Sequence, residues 1–270
     1  MAAPLTVAVA VAGMGASIER GGLGATCRFS SQPEVRTLSG GFKGYIWRDE
    51  PYASALFRDG FIEGGAAYTE YTAWLGKTIP RDFHGLNPFD QRACLEHQRT
   101  IFKNAGFPTH DWDVILNGSV GVIGRMNCVE SILWGLQNKA HPQQVAATEF
   151  GAYILLDRHN ASMTVYLQTG PTLSVPGMDW VDPLIEADLA AGHRVLTFLH
   201  LHPFDASNIK YQDCAGTCIP SGPDLNAFAV DLHRFKAEQA WITNGDASFR
   251  FPLSQLGSFN GGTTEIYRGG

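Results

Sequence analysis

Basic clusters, long apolar runs and paired cysteines are all scarce in this sequence. Only 17% of its 270 residues are charged, and acids outnumber bases for a net charge of −6. No cluster of lysine or arginine is present to meet a phosphate backbone, so no nucleic-acid partner is expected. The N-terminal stretch MAAPLTVAVAVAGMGAS is apolar but too short to cross a bilayer, and no membrane span is expected. It also lacks the basic leader of a secretory signal, and it reads equally as an alternating strand from Leu5 to Val11. Cytoplasmic and exported locations therefore both stay open. The five cysteines, Cys27, Cys94, Cys128, Cys214 and Cys218, are an odd number and describe no closed disulfide framework. Cys214 and Cys218, in DCAGTC, read as a small loop disulfide, as free thiols or as metal ligands.

What is present is a globular composition, 44% apolar, with ample chain for a core without staples. Helical spacing starts after Pro51, in PYASALFRDGF, with Gly60 as its stop. A second helix is expected over PFDQRACLEHQRTIFKNAG, with Asp90 as N-cap and Gly106 as C-terminal signal. A third is expected from Asn127 to about Ala140. After His141-Pro142 the texture changes. EFGAYILLDRHNASMTVYLQ reads as two strands around an Asp157–Asn160 turn. A helix from Pro183, a buried strand HRVLTFLHLH, a helix PDLNAFAVDLHRFKAEQ and a hairpin around Gly245-Asp246 follow. This alternation predicts an α/β domain over residues 141–270, preceded by a mainly helical accessory region over residues 1–140.

The chemistry concentrates in the second half. His200 and His202 are two apart on a strand, so both imidazoles project to one face, which is half of a zinc site. Pro203 ends that strand because it has no N–H for a ladder. Ser221-Gly-Pro-Asp224 is a capping box with Asp in place of Glu. It is complete as helix punctuation alone, yet it also fixes Asp224 in a first turn, where its carboxylate can serve as third ligand. Two His, one Asp and an open position form the set a metal hydrolase needs. Glu149, a lone acid leading into the apolar run FGAYILL, is either a solvated strand end or a general base that later protonates the leaving amine. Ser221 is a candidate donor to the oxyanion.

These residues resemble the JAMM (MPN+) zinc metalloproteases and their RadC-like bacterial relatives, which show Glu, then His-x-His-Pro, then Ser-x-x-Asp opening a helix. The matching positions are Glu149, His200-Leu201-His202-Pro203 and Ser221-Gly222-Pro223-Asp224, and EFGAYILLDRHN looks like the RadC-type first strand and turn. The resemblance covers roughly residues 145 to 250. It implies a cytidine deaminase-like layered sheet with flanking helices. It further implies zinc on His200, His202 and Asp224, with Glu149 working on the water and Ser221 assisting the oxyanion. The activity implied is hydrolysis of a peptide or isopeptide bond, with a peptide or protein substrate, ubiquitin-like conjugates included. One departure stands out: twenty-one residues separate His202 from Asp224, more than the family keeps. The surplus, in DASNIKYQDCAGTCI, reads as an inserted loop beside the site.

Three other readings compete. His200, His202, Cys214 and Cys218 would make a closed structural zinc site, although this leaves Glu149 without a task. Cys128 at a helix start has the placement of a nucleophilic thiolate, but Ile132, Leu133 and Leu136 make its segment look like core. A catalytically silent MPN-like scaffold is the alternative from outside enzymology.

Overall fold

The computed structural model describes residues 27–60, 62, 65–79, 89–174, 177–207 and 216–260. The strand expected at Leu5–Val11, and Cys214, lie outside them. The described chain is an α/β fold built on one mixed eight-stranded sheet. The strands are β1 (Glu34–Thr37), β2 (Lys43–Pro51), β3 (Val122–Arg125), β4 (Phe150–Leu156), β5 (Ser162–Thr169), β6 (Arg194–Leu201), β7 (Gln239–Thr243) and β8 (Ala247–Pro252). Their order in the sheet is β1-β2-β5-β4-β6-β7-β8-β3. Neighbours are antiparallel except β6 and β7, which run parallel. Parallel neighbours need a crossover, and here it contains a helix, α6 (Gly222–Phe235).

The other helices are α1 (Ala66–Thr78), α2 (Gln91–Asn104), α3 (His110–Leu116), α4 (Cys128–Ala140) and α5 (Asp182–Ala190). Alternation along β4 separates two cores. Phe150, Ala152, Ile154 and Leu156 face one side, packing with Tyr71 and Leu75 of α1 and with Val129, Leu133 and Trp134 of α4. Tyr153 and Leu155 face the other, with Ile185 of α5 and Phe228 and Phe235 of α6. Every residue of β4 is buried, as a central strand covered on both faces must be.

The division expected at residue 140 does not partition this sheet. The first half contributes β1 and β2 at one edge, β3 at the other, and the α1/α4 layer. Helices do outweigh strands in it, as expected, but it is an integral part of the fold and not an accessory region. The helix expected after Pro51 is also corrected: Pro51 closes β2, a single 3-10 turn spans Ser54–Phe57, and α1 begins at Ala66. The alternating residues of β2 pair with β5 through a bulge at Asp49, whose φ is 56°, and this pairing outweighs the short helical spacing that follows.

Several local expectations hold. Asp90 caps α2 by accepting from the Ala93 N–H, and Gly106 takes a φ of +82° beyond its end. The β4–β5 turn runs through Asn160 at φ 53°, and Gly245 turns β7 into β8 at φ +88°. Cys128 is joined to Cys27 in a disulfide, with the two Cα atoms 5.4 Å apart. That bond removes the thiolate reading of Cys128. Among the described residues, no helix is long and apolar enough to cross a membrane.

Candidate active site

The site forms where the C-terminal end of β6 meets the N-terminus of α6. His200 and His202 share one face of the sheet, as period-two alternation requires. Their Nε2 atoms are 2.8 Å apart. Asp224 reaches both: its Oδ1 is 3.2 Å from His200 Nε2 and its Oδ2 is 3.2 Å from His202 Nε2. One ligand atom from each of the three residues falls within a 4.8 Å cluster.

Asp224 is held there by the cap that the sequence shows. The Ser221 Oγ accepts from the Asp224 N–H at 3.4 Å, and the Ser221 N–H donates to Asp224 Oδ2 at 2.6 Å. The long connection from β6 to α6 does not displace it, because both described limbs are anchored. On the outgoing limb, the His202 N–H donates to the Thr243 carbonyl at 2.8 Å and Phe204 is fully buried in the opposite core. On the returning limb, the Gly216 carbonyl accepts from Gln91 Nε2 at 3.1 Å and from Asn244 Nδ2 at 3.0 Å. Gly216 has a φ of +113°, and a Cβ there would lie 2.6 Å from the His202 carbonyl oxygen. Only glycine permits so close a return. The next residue, Thr217, places its carbonyl 2.9 Å from His202 Nδ1. A proton on Nδ1 directed to that carbonyl leaves Nε2 for the cluster, the usual way a ligating imidazole is oriented.

Electrostatics bind the three groups to one another. Burial pushes His200 below its ordinary pKa, against the pull of Asp224. Burial acts on His202 in the same sense, but the charges of Asp224 and Glu149 outweigh it and raise this imidazole to about 9. Burial would raise Asp224, yet the two imidazoles hold it far below the carboxylate range. The negative charge of Asp224 thus lies against two imidazole nitrogens at one point. Two imidazoles and one carboxylate form a donor set that could hold a metal ion. His200 Nδ1 is buried without a hydrogen-bond partner among the described residues.

All five residues singled out in the sequence line one cavity of about 710 Å³: Glu149, His200, His202, Ser221 and Asp224. Glu149 directly precedes β4, its N–H bonded to the Thr172 carbonyl at 2.8 Å, and its charge is felt at His202. The cysteine-bearing zinc site is not assembled among the described residues. Cys218 is a free buried thiol directed to the Ala247 carbonyl, and it is not part of the His/Asp cluster. A Cys214–Cys218 loop disulfide is excluded by the same free thiol. Burial pushes that thiol well above its ordinary range.

Sequence reasoning missed the remainder of the cavity: Phe198 and Tyr153 on its floor, Asp231 and Arg234 along α6, and Trp112 from α3. Two signals were available. Phe198 precedes His200 by two in the same strand, and Asp231 follows Asp224 by seven on one helix, so each shares a face with a named site residue. Comparison with known proteins returns no match, whether against family models, curated proteins or solved structures.

Proposed function

We propose that this chain is a zinc-dependent hydrolase of amide bonds, cleaving a peptide or isopeptide linkage. The observation that carries the reading is the convergence of His200, His202 and Asp224 in a cavity that also contains Glu149. The order Glu149, His200-Leu-His202-Pro203, Ser221-x-x-Asp224 is that of the JAMM/MPN+ pattern, and the layered sheet with helices on both faces accords with it. His200, His202 and Asp224 would hold the metal. Bound there, zinc would supply Lewis acidity and a more acidic water.

The chain's own residues provide the rest. Glu149 stands near enough to affect His202 electrostatically, so its carboxylate is the proton acceptor for water and, once protonated, the donor to the departing amine. Ser221 Oγ accepts from a backbone N–H, which leaves its hydroxyl proton for an oxygen that gains negative charge during the reaction. Thr217 fixes the His202 ring through Nδ1.

The test is metal content and turnover in parallel. Wild type should carry one zinc per chain, and His202→Ala and Asp224→Ala should carry none. Glu149→Gln should keep its zinc and lose hydrolysis. Zinc retained in Asp224→Ala would sink the ligand assignment, and full turnover by Glu149→Gln would sink the base. A metal-loaded wild type that cleaves no amide would favour a silent scaffold.

A further inference from the structure

The cavity extends well beyond the candidate metal ligands. Asp231 lies seven residues past Asp224 on α6, about 10 Å along the axis at 1.5 Å per residue. It is 4% exposed and lines the cavity wall. Tyr153 donates its hydroxyl to Asp231 Oδ1 at 2.7 Å, while Oδ2 takes no hydrogen bond among the described residues. That second oxygen stays open to the cavity, where a cation or a donor can meet it.

The walls around it are aromatic. Tyr153 packs on Phe198 with ring centroids 4.8 Å apart and on Phe235 at 5.9 Å. The balance of charge is strongly acidic. Among the described residues the cavity is lined by Glu149, Asp179, Asp182, Asp205, Asp224 and Asp231, against the guanidinium of Arg234 and the imidazoles of His200 and His202 beside Asp224. That guanidinium is already engaged, by Asp182 and by Glu186 at 2.8 Å. Trp112 also lines the cavity and is 2% exposed, and it adds a further aromatic side chain to the wall.

We infer that the Asp231 end of the cavity is a side-chain subsite for a lysine or arginine of a peptide substrate. The aliphatic stem lies along Phe198, Tyr153 and Phe235, and the cationic head reaches Asp231. At about 3.3 Å per extended residue, the 10 Å offset places that side chain within about three residues of the bond beside Asp224. The subsite depends on the hydrolase reading only for the word substrate, because binding can be measured without turnover.

The test uses full-length zinc-loaded Glu149→Gln protein, titrated with acetyl-Gly-Lys-Gly amide and with the same peptide carrying norleucine or ε-acetyl-lysine. A charge-assisted contact in a buried site should make the lysine peptide bind at least about tenfold more tightly than either neutral analogue. Adding Asp231→Asn, with folding checked by circular dichroism, should erase that ratio. Equal binding of the three peptides, or binding of none at millimolar concentration, would overturn the subsite. So would a lysine preference that survives Asp231→Asn. Should Asp231→Asn fail to fold, the comparison of lysine with ε-acetyl-lysine in the parent protein still decides. A lysine preference in a protein that hydrolyses nothing keeps the subsite and rejects the hydrolase; hydrolysis without the preference does the reverse.

Discussion

Two helices in this fold begin with the same device and use it for different ends. At α4 the Asn127 side chain accepts from the Glu130 N–H at 3.0 Å, and Glu130 accepts from the Asn127 N–H at 2.7 Å. At α6 Ser221 and Asp224 repeat the exchange. Both N3 acids are withdrawn from solvent, so each needs a partner for its charge. Glu130 finds Arg250 at 2.5 Å, with Ser248 on its other oxygen. A guanidinium is always charged, so that pair is permanent. Asp224 finds two imidazoles instead, whose protons can be exchanged for a metal ion. The cap starts the helix in both places; the partner across from the acid separates scaffold from site.

The comparison can be broken most severely at α4. Glu130→Ala takes the buried carboxylate from Arg250, leaving it the exposed Asp59 as partner, and should cost about 3 kcal/mol of stability in a denaturant titration. Gly216→Ala should cost about 1–3 kcal/mol through its backbone conformation alone. It should also weaken zinc binding, because the new Cβ presses on the carbonyl of His202.

A third buried acid, Asp231 of α6, sharpens the contrast, since among the described residues neither a cap nor a cation is bonded to its side chain. Burial raises it to about 6 in the folded chain from an ordinary 3.8. The folded state therefore holds this proton more tightly. The associated stability is complete below pH 3.8 and is lost as pH rises through 6, on the order of 3 kcal/mol in all. Stability differences between wild type and Asp231→Asn, measured from pH 3.5 to 7.5, should trace that fall; a flat difference would reject the shift. Asp224→Asn should lower the metal-free stability by less than Glu130→Ala does, about 1–3 kcal/mol, through a weakened cap and the loss of the charge facing the two imidazoles. It should nonetheless abolish any rise in melting temperature on adding zinc. If Asp224→Asn proves as damaging as Glu130→Ala without metal, the two caps do not differ as argued.

The helix starts were legible because their signals are local: Asp90, Asn127 and Ser221 each sit a few residues from the N–H groups they satisfy. The convergence of His200, His202 and Asp224 was legible for a related reason, since strand alternation and a helix cap fix where those side chains point. The sheet as a whole was not. β1 and β3 are four residues each, and their partners lie elsewhere in the chain, as in Val122 opposite Arg250. No local pattern tells a short edge strand which distant strand it will join. The role of Gly216 was equally hidden, because its requirement comes from the His202 carbonyl fourteen positions earlier and appears only when the chain folds back.

The Cys27–Cys128 bridge has a consequence for the chain as a covalent object. It closes a span of 101 residues that contains β1, β2, β3 and helices α1 to α3. A protease cutting anywhere within that span would yield two polypeptides that still travel as one molecule, and only a reductant would let them part. The enzyme proposed here would thus survive a nick in an oxidising medium that would dismember it in a reducing one.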